Sequence, residues 1–229
     1  MKRTLVFLAG ALLSAGCLPR TPGELSNGGF TYFCAGDDDL ACRHDLFDAS
    51  EIPVAIAVGA HFDIEFNPPF IDGEDNPTVS RIISAAPSVL AEELAQDFDT
   101  DGFRFEKAGT VAVLAMAGNQ VVDLIHLTGE PVDQVSLVDR LGDTPAHLTI
   151  SLSGYGDTLE ALPREESGVI LAGALTYTWQ SSDEGVVRVE PGAHPNEVEL
   201  APEGPGEATI TVSVQGKLAG VSVTVEGKP

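Results

Sequence analysis

From position 52 onward apolar side chains recur at every second residue: Ile52, Val54, Ile56, Val58, Ala60, Phe62, Ile64 and Phe66. A period of two is the repeat of an extended strand with one covered face. Asp63, Glu65 and Asn67 mark the face expected to meet water, and Gly59 is where the run is expected to bend into two strands. Pro68, Pro69, Asp72, Gly73 and Pro77 read as a loop. Residues 88–96, with Val89, Leu90 and Leu94 at helical spacing, predict the one helix. Strand chemistry then returns at Phe103 and Phe105, at Val111, Val113 and Ala115, and after a Gly118-Asn119 turn from 121 to 127.

A second block begins near Leu141. Strands are predicted at 148–152 and 175–179, around Val187 and Val189, and around Val198 and Leu200. The clearest hairpin closes the block: Ala208, Ile210, Val212 and Val214 alternate with Thr and Ser, Gln215-Gly216 turns, and Val221, Val223 and Val225 return. Gly206 and Gly216 stand to this hairpin as Gly109 and Gly118 stand to the earlier one, and Gly206 follows Gly109 by 97 residues. That period is about one immunoglobulin-like sandwich. The expected fold class is therefore all-β: two tandem immunoglobulin-like β-sandwiches, at 51–139 and 140–227.

The chain before position 50 is of another kind. Lys2 and Arg3 precede an apolar run at 5–13, too short to span a bilayer but suited to a signal peptide. The run ends in Leu13-Ser14-Ala15-Gly16-Cys17, which resembles a bacterial lipoprotein lipobox, with Ser14 standing where the family prefers Leu. The resemblance implies a signal peptide at 1–16, removal before Cys17, and acylation of that thiol. Such an anchor is effectively permanent, since each buried methylene contributes about 0.8 kcal/mol. Leu18, in the place where inner-membrane lipoproteins often carry Asp, favours the outer membrane. Residues 17–50, rich in Pro and Gly at the start, read as a tether followed by a small cap. Cys34 and Cys42 close that cap as an expected disulfide, the usual state of so close a pair outside the cytoplasm. Asp37, Asp38 and Asp39 inside the loop read as a solvated charge run.

The 229 residues carry 35 acidic against 12 basic side chains, a formal charge of -23. Phosphate backbones and anionic headgroups are repelled by such a surface, so nucleic acid is excluded as a partner. Membrane attachment falls to the lipid alone.

The second block resembles a bacterial immunoglobulin-like domain of group 2. Its Gly168 and Gly173 precede Thr178-Trp179-Gln180-Ser181-Ser182-Asp183, then Val186 and Val189, then Gly206-Glu207-Ala208-Thr209-Ile210-Thr211-Val212. Trp179 is expected to fill the centre of the two-sheet core. The first block carries the Gly109, Val111, Val113, Ala115 pattern without a Trp. Domains of this kind serve as stalks, spacers or adhesive modules and are rarely catalytic.

Asp97, Asp99 and Asp101 with Gly102 supply positions 1, 3, 5 and 6 of a calcium loop, but Ala108 stands at position 12 where a bidentate Glu belongs. Calcium is the one cofactor left open; no other is implied. His44, His61, His126, His147 and His194 form no ligand pattern, Ser153-Gly154 lacks the first glycine of a nucleophile elbow, and no catalytic residue is assigned. The expected function is that of a non-enzymatic, lipid-anchored cell-envelope protein whose Ig-like modules serve structural or adhesive binding to a protein or glycan partner. A calcium-stabilised binding module and an unrecognised periplasmic enzyme are the alternatives, the last requiring a deep pocket of convergent polar groups.

Overall fold

A computed structural model describes residues 20–34, 39–42, 49–69, 78–93, 100–153 and 156–227. Every regular element among them is a strand. The first part of the chain supplies β1 (Thr21–Pro22), β2 (Gly29–Cys34), β3 (Ala49–Ser50), β4 (Ile56–Ala57), β5 (His61–Asn67), β6 (Arg81–Ser84), β7 (Leu90–Glu93), β8 (Asp101–Phe105), β9 (Gly109–Ala117) and β10 (Gln120–Glu130). The second supplies β11 (Gln134–Asp139), β12 (His147–Ser151), β13 (Asp157–Arg164), β14 (Tyr177–Ser181), β15 (Val187–Pro191), β16 (Glu197–Pro202), β17 (Gly206–Val214) and β18 (Lys217–Glu226).

These strands form two sandwiches in series. In the first, a sheet ordered β1-β2-β5-β8-β7, with β3 also on β2, accompanies a sheet ordered β4-β10-β9-β6. In the second, β11-β13-β16-β15 accompanies β12-β18-β17-β14. Both sandwiches open their second sheet the same way, with β4 parallel to β10 and β12 parallel to β18. The all-β tandem expected from the alternation is the observed architecture. Its two interiors differ in chemistry. The first is aromatic, with Tyr32 and Phe62 stacked at 5.4 Å and Phe62 at 6.1 Å from both Phe103 and Phe105. The second is aliphatic, built on Leu159, Val187, Leu200, Ile210, Val212, Val214 and Val223, all wholly buried.

The period of 97 holds down to single hydrogen bonds. The Ala86 carbonyl accepts the N–H groups of Val89 and Leu90, and the Asp183 carbonyl accepts those of Val186 and Val187. The Val89 carbonyl accepts Glu106 N–H, as that of Val186 accepts Glu203 N–H; Ala85 N–H reaches the Ala112 carbonyl, as Ser182 N–H reaches that of Thr209. Gly109 and Gly206 open the equivalent strands β9 and β17 at φ of 143° and 153°. At Gly206 a Cβ would lie 2.9 Å from Val186 Cγ2, so a side chain is refused by packing as well as by conformation.

Four expectations are corrected. Residues 90–93 are the strand β7 rather than part of a helix, because Leu90 is drawn opposite Phe105 in the ladder with β8 and is wholly buried; residues 94–96 lie outside the described residues. The stretch at 17–50 is not a tether beyond position 20. Strand β2 pairs along its whole length with β5, and its Phe30 and Tyr32 are completely buried. Residues 134–139 belong to the second sandwich, paired with β13 from Gln134 opposite Arg164 to Asp139 opposite Leu159. Pro131, which has no N–H to offer a ladder, separates them from β10. Asp63 does not face water: it is buried and accepts a hydrogen bond from the Thr100 hydroxyl at 3.1 Å.

Candidate functional site

The two sandwiches meet along a seam of backbone hydrogen bonds. Between β4 and β5 the chain turns through Gly59, and residues 172–174, which precede β14, lie against this turn. Ala57 N–H donates to the Ala172 carbonyl at 2.9 Å, Ala172 N–H to that of Ala55 at 3.0 Å, and Ala174 N–H to that of His61 at 3.2 Å. The Gln215 side-chain amide, from the hairpin between β17 and β18, donates to the Val58 carbonyl at 2.6 Å. Gly173 sits at the centre with φ of 99°. A Cβ there would overlap that of Ala60.

Asp39 closes the seam. Its Oδ1 accepts the backbone N–H of Gly173 at 2.9 Å and of Ala41 at 3.0 Å, and its Oδ2 accepts the Tyr32 hydroxyl at 2.6 Å. The expected solvated charge is therefore 3% exposed. Burying a carboxylate is tolerable here because three donors replace its water. Asp37 and Asp38 lie outside the described residues. The Cys34–Cys42 disulfide is formed, with Cα atoms 6.0 Å apart, and it encloses Asp39. What composition suggested was a cap is a latch from the N-terminal segment to the second sandwich.

A second buried carboxylate fixes the beginning of that segment. Asp123, completely buried at a register shift in β10, accepts Leu25 N–H at 2.9 Å and Asn27 N–H at 2.7 Å. The Asn27 side chain returns a bond to the Val122 carbonyl at 2.8 Å, and Glu24 meets His126 at 2.5 Å. The bonds that tie Asp39 to Gly173 and Asp123 to Leu25 and Asn27 span about a hundred residues or more, so no local sequence signal announces them.

Of the three carboxylates singled out for calcium, Asp97 and Asp99 lie outside the described residues. Asp101 opens β8, and its Oδ2 accepts Ile82 N–H at 2.9 Å. Burial raises its pKa above the ordinary value, the Ile82 hydrogen bond opposes this, and Glu92 and Asp63 add to the rise. One oxygen of this carboxylate is thus already committed to the edge strand β6. Cys17 also lies outside the described residues.

At the side of the second sandwich, between the edge strands β14 and β15, lies an open groove of about 620 Å³. Tyr177 and Trp179, two apart on β14, form one wall; Val189, Pro191, His194 and Pro195 form the other, with Glu190 and Glu197 beside them. Trp179 is only partly buried and lies at this margin, not at the core centre where it was expected. The alternation correctly turns it inward, but β14 is the last strand of its sheet, so the side chain also lines the gap beside it. The indole Nε1 is shielded and has no hydrogen-bond partner. Glu190 is paired with Arg188, which also meets Glu203 at 2.8 Å; these hydrogen bonds, that to Glu203 first, hold the guanidinium pKa above its ordinary value.

No protein-family model matches this chain, and no curated protein sequence does. Solved structures of bacterial surface proteins are similar to it. The S-layer protein SbsC is 19% identical over 73% of this chain, with a TM-score of 0.35. InvD of Yersinia pseudotuberculosis and the adhesin FdeC of Escherichia coli are 13% and 16% identical, each over 77% of this chain and each with a TM-score of 0.36. The chain spans 23% of that S-layer chain, 56% of the InvD chain and 62% of the FdeC chain. At these scores the whole chains do not superpose, and the immunoglobulin-like fold of this protein rests on its own strand pairing. Among the described residues no helix is long and apolar enough to cross a membrane.

Proposed function

We propose that this chain is a lipid-anchored protein of the cell envelope: a non-catalytic pair of immunoglobulin-like modules held at a fixed mutual angle for structural or adhesive binding. The seam carries this reading. Tandem modules joined only by a linker swing freely, whereas here backbone pairing at 55–61 and 172–174, a buried carboxylate and a disulfide all restrain one hinge. A spacer or a presenting arm needs that restraint. The second module is the one that resembles group 2 bacterial immunoglobulin-like domains; Cys17, left first in the chain once the signal peptide at 1–16 is removed, carries the lipid, and Leu18 after it favours the outer membrane.

The anchor is tested by replacing Cys17 with Ser and by feeding cells a labelled fatty acid. The natural chain should take up label and sediment with membranes, and the Cys17→Ser chain should do neither. A Cys17→Ser chain that still sediments with membranes would end the lipoprotein reading.

A further inference from the structure

The groove between β14 and β15 has a counterpart in the first sandwich, and the contrast between the two is informative. The first sandwich has a hollow at the corresponding edge, lined by Ser80, Ile82, Thr100 and Asp101 among others. One repeat of 97 residues later these positions are Tyr177, Trp179, Glu197 and Val198. In the first copy the hollow is used internally, since Asp101 reaches across it to the backbone of Ile82. In the second copy the carboxylate at that position is replaced by a buried valine, and two aromatic rings line the opening. Both hollows are open, at about 490 and 620 Å³, and they differ in lining: the copy that lacks the internal bridge is the one lined by two aromatic rings.

We infer that this groove binds a neutral oligosaccharide, which deepens and rests on the reading of the chain as a binding module. Two features select that ligand class. Tyr177 and Trp179 line the groove with aromatic rings against which the C–H face of a pyranose can lie. Glu190 and Glu197 line the same groove and place carboxylates within reach of hydroxyl donors. A sugar presents both at once, an apolar C–H face for the rings and hydroxyls for the carboxylates. Charge narrows the class further: the chain's formal charge of -23 and the two glutamates oppose an anionic sugar. The volume, about 620 Å³, is within the size range of small-ligand sites, roughly 300–1,000 Å³.

The chain contains a single tryptophan, so the groove carries its own reporter. The full chain, kept in a detergent without a sugar headgroup, is titrated separately with cellotriose, chitotriose, maltotriose, mannotriose, sialyllactose and a proline-rich peptide, following Trp179 emission and heat. At least one neutral trisaccharide should give a saturable emission change and matching heat, and sialyllactose should not. Tyr177→Ala should weaken that binding about tenfold. Trp179→Phe, followed by heat, keeps a ring of smaller area and should weaken it about threefold. Unchanged melting of both variants shows that the fold is intact. Absence of a saturable response to all four neutral sugars, a response indifferent to Tyr177→Ala, or a preference for the peptide or sialyllactose would overturn the assignment. The titration does not involve membranes, so its failure is distinct from a failure of the Cys17→Ser fractionation.

Discussion

The carboxylate of Asp39 and the backbone N–H of Gly173, 134 positions apart, meet at 2.9 Å in a buried contact between the N-terminal segment and the second sandwich. Removing the carboxylate leaves Gly173 N–H, Ala41 N–H and the Tyr32 hydroxyl without their acceptor in a site that excludes water. Asp39→Ala is expected to cost about 2–3 kcal/mol. Because the loss falls on the seam, urea unfolding followed by circular dichroism should change from one transition to two. A single transition at the natural midpoint would show that Asp39 does not couple the sandwiches.

The disulfide should act on the same contact from a distance. Reduction, or the paired change Cys34→Ser and Cys42→Ser, frees the loop that presents Asp39 and should lower stability by about 2–3 kcal/mol. Hydrogen exchange gives the more specific readout. The amides of Gly173 and Ala174 should exchange faster after reduction, while those in the centre of β17 should not.

Gly173 offers a steric test. At φ of 99° and against Ala60, a methyl group is refused by both backbone and neighbour. Gly173→Ala should destabilise by about 2–4 kcal/mol. Adding Ala60→Gly should return the part due to collision and leave the part due to conformation, and thermal melting of the two variants separates them.

Asp101 makes a prediction about pH. Its pKa is raised in the folded chain from 3.8, so the fold favours the protonated form. Its contribution to stability is complete below the unfolded value and is lost as pH rises through the folded one. At neutral pH the fold thus bears the cost of a half-buried charge. Asp101→Asn keeps an oxygen for Ile82 N–H and removes that charge. The variant should melt slightly higher than the natural chain at pH 7, and the gap should close as pH falls below 3.8. A lower melting temperature for the variant at pH 7 would mean that the charged hydrogen bond outweighs burial.

Much of the fold was legible because alternation survives wherever one face of a strand is covered. Strands β5, β9, β17 and β18 are visible in this way, and the repeat of 97 follows from two glycines that open equivalent strands. Strand β2 was hidden because its Phe30 and Tyr32 stand among glycines and next to prolines, in a segment whose average composition is that of a tether. Strand β7 was hidden because Val89, Leu90 and Leu94 fit a helical period as well as a short strand, and only the ladder with β8 decides between them. The groove was half legible: alternation put Tyr177 and Trp179 on the inward face, yet which strand ends a sheet is a property of pairing, not of any one segment.

Local chemistry by itself determined that this chain alternates as strands, repeats once, turns at its glycines and carries a cysteine pair able to close a loop. Tertiary structure alone decided which carboxylates go inside. Asp37, Asp38 and Asp39 are identical side chains in one run, and Asp39 is known to be buried only because folding brings Tyr32 and Gly173 to it. A charge enters a protein interior when donors wait for it there, and for Asp39 one of them, the Gly173 N–H, comes from a part of the chain that no local reading connects to it.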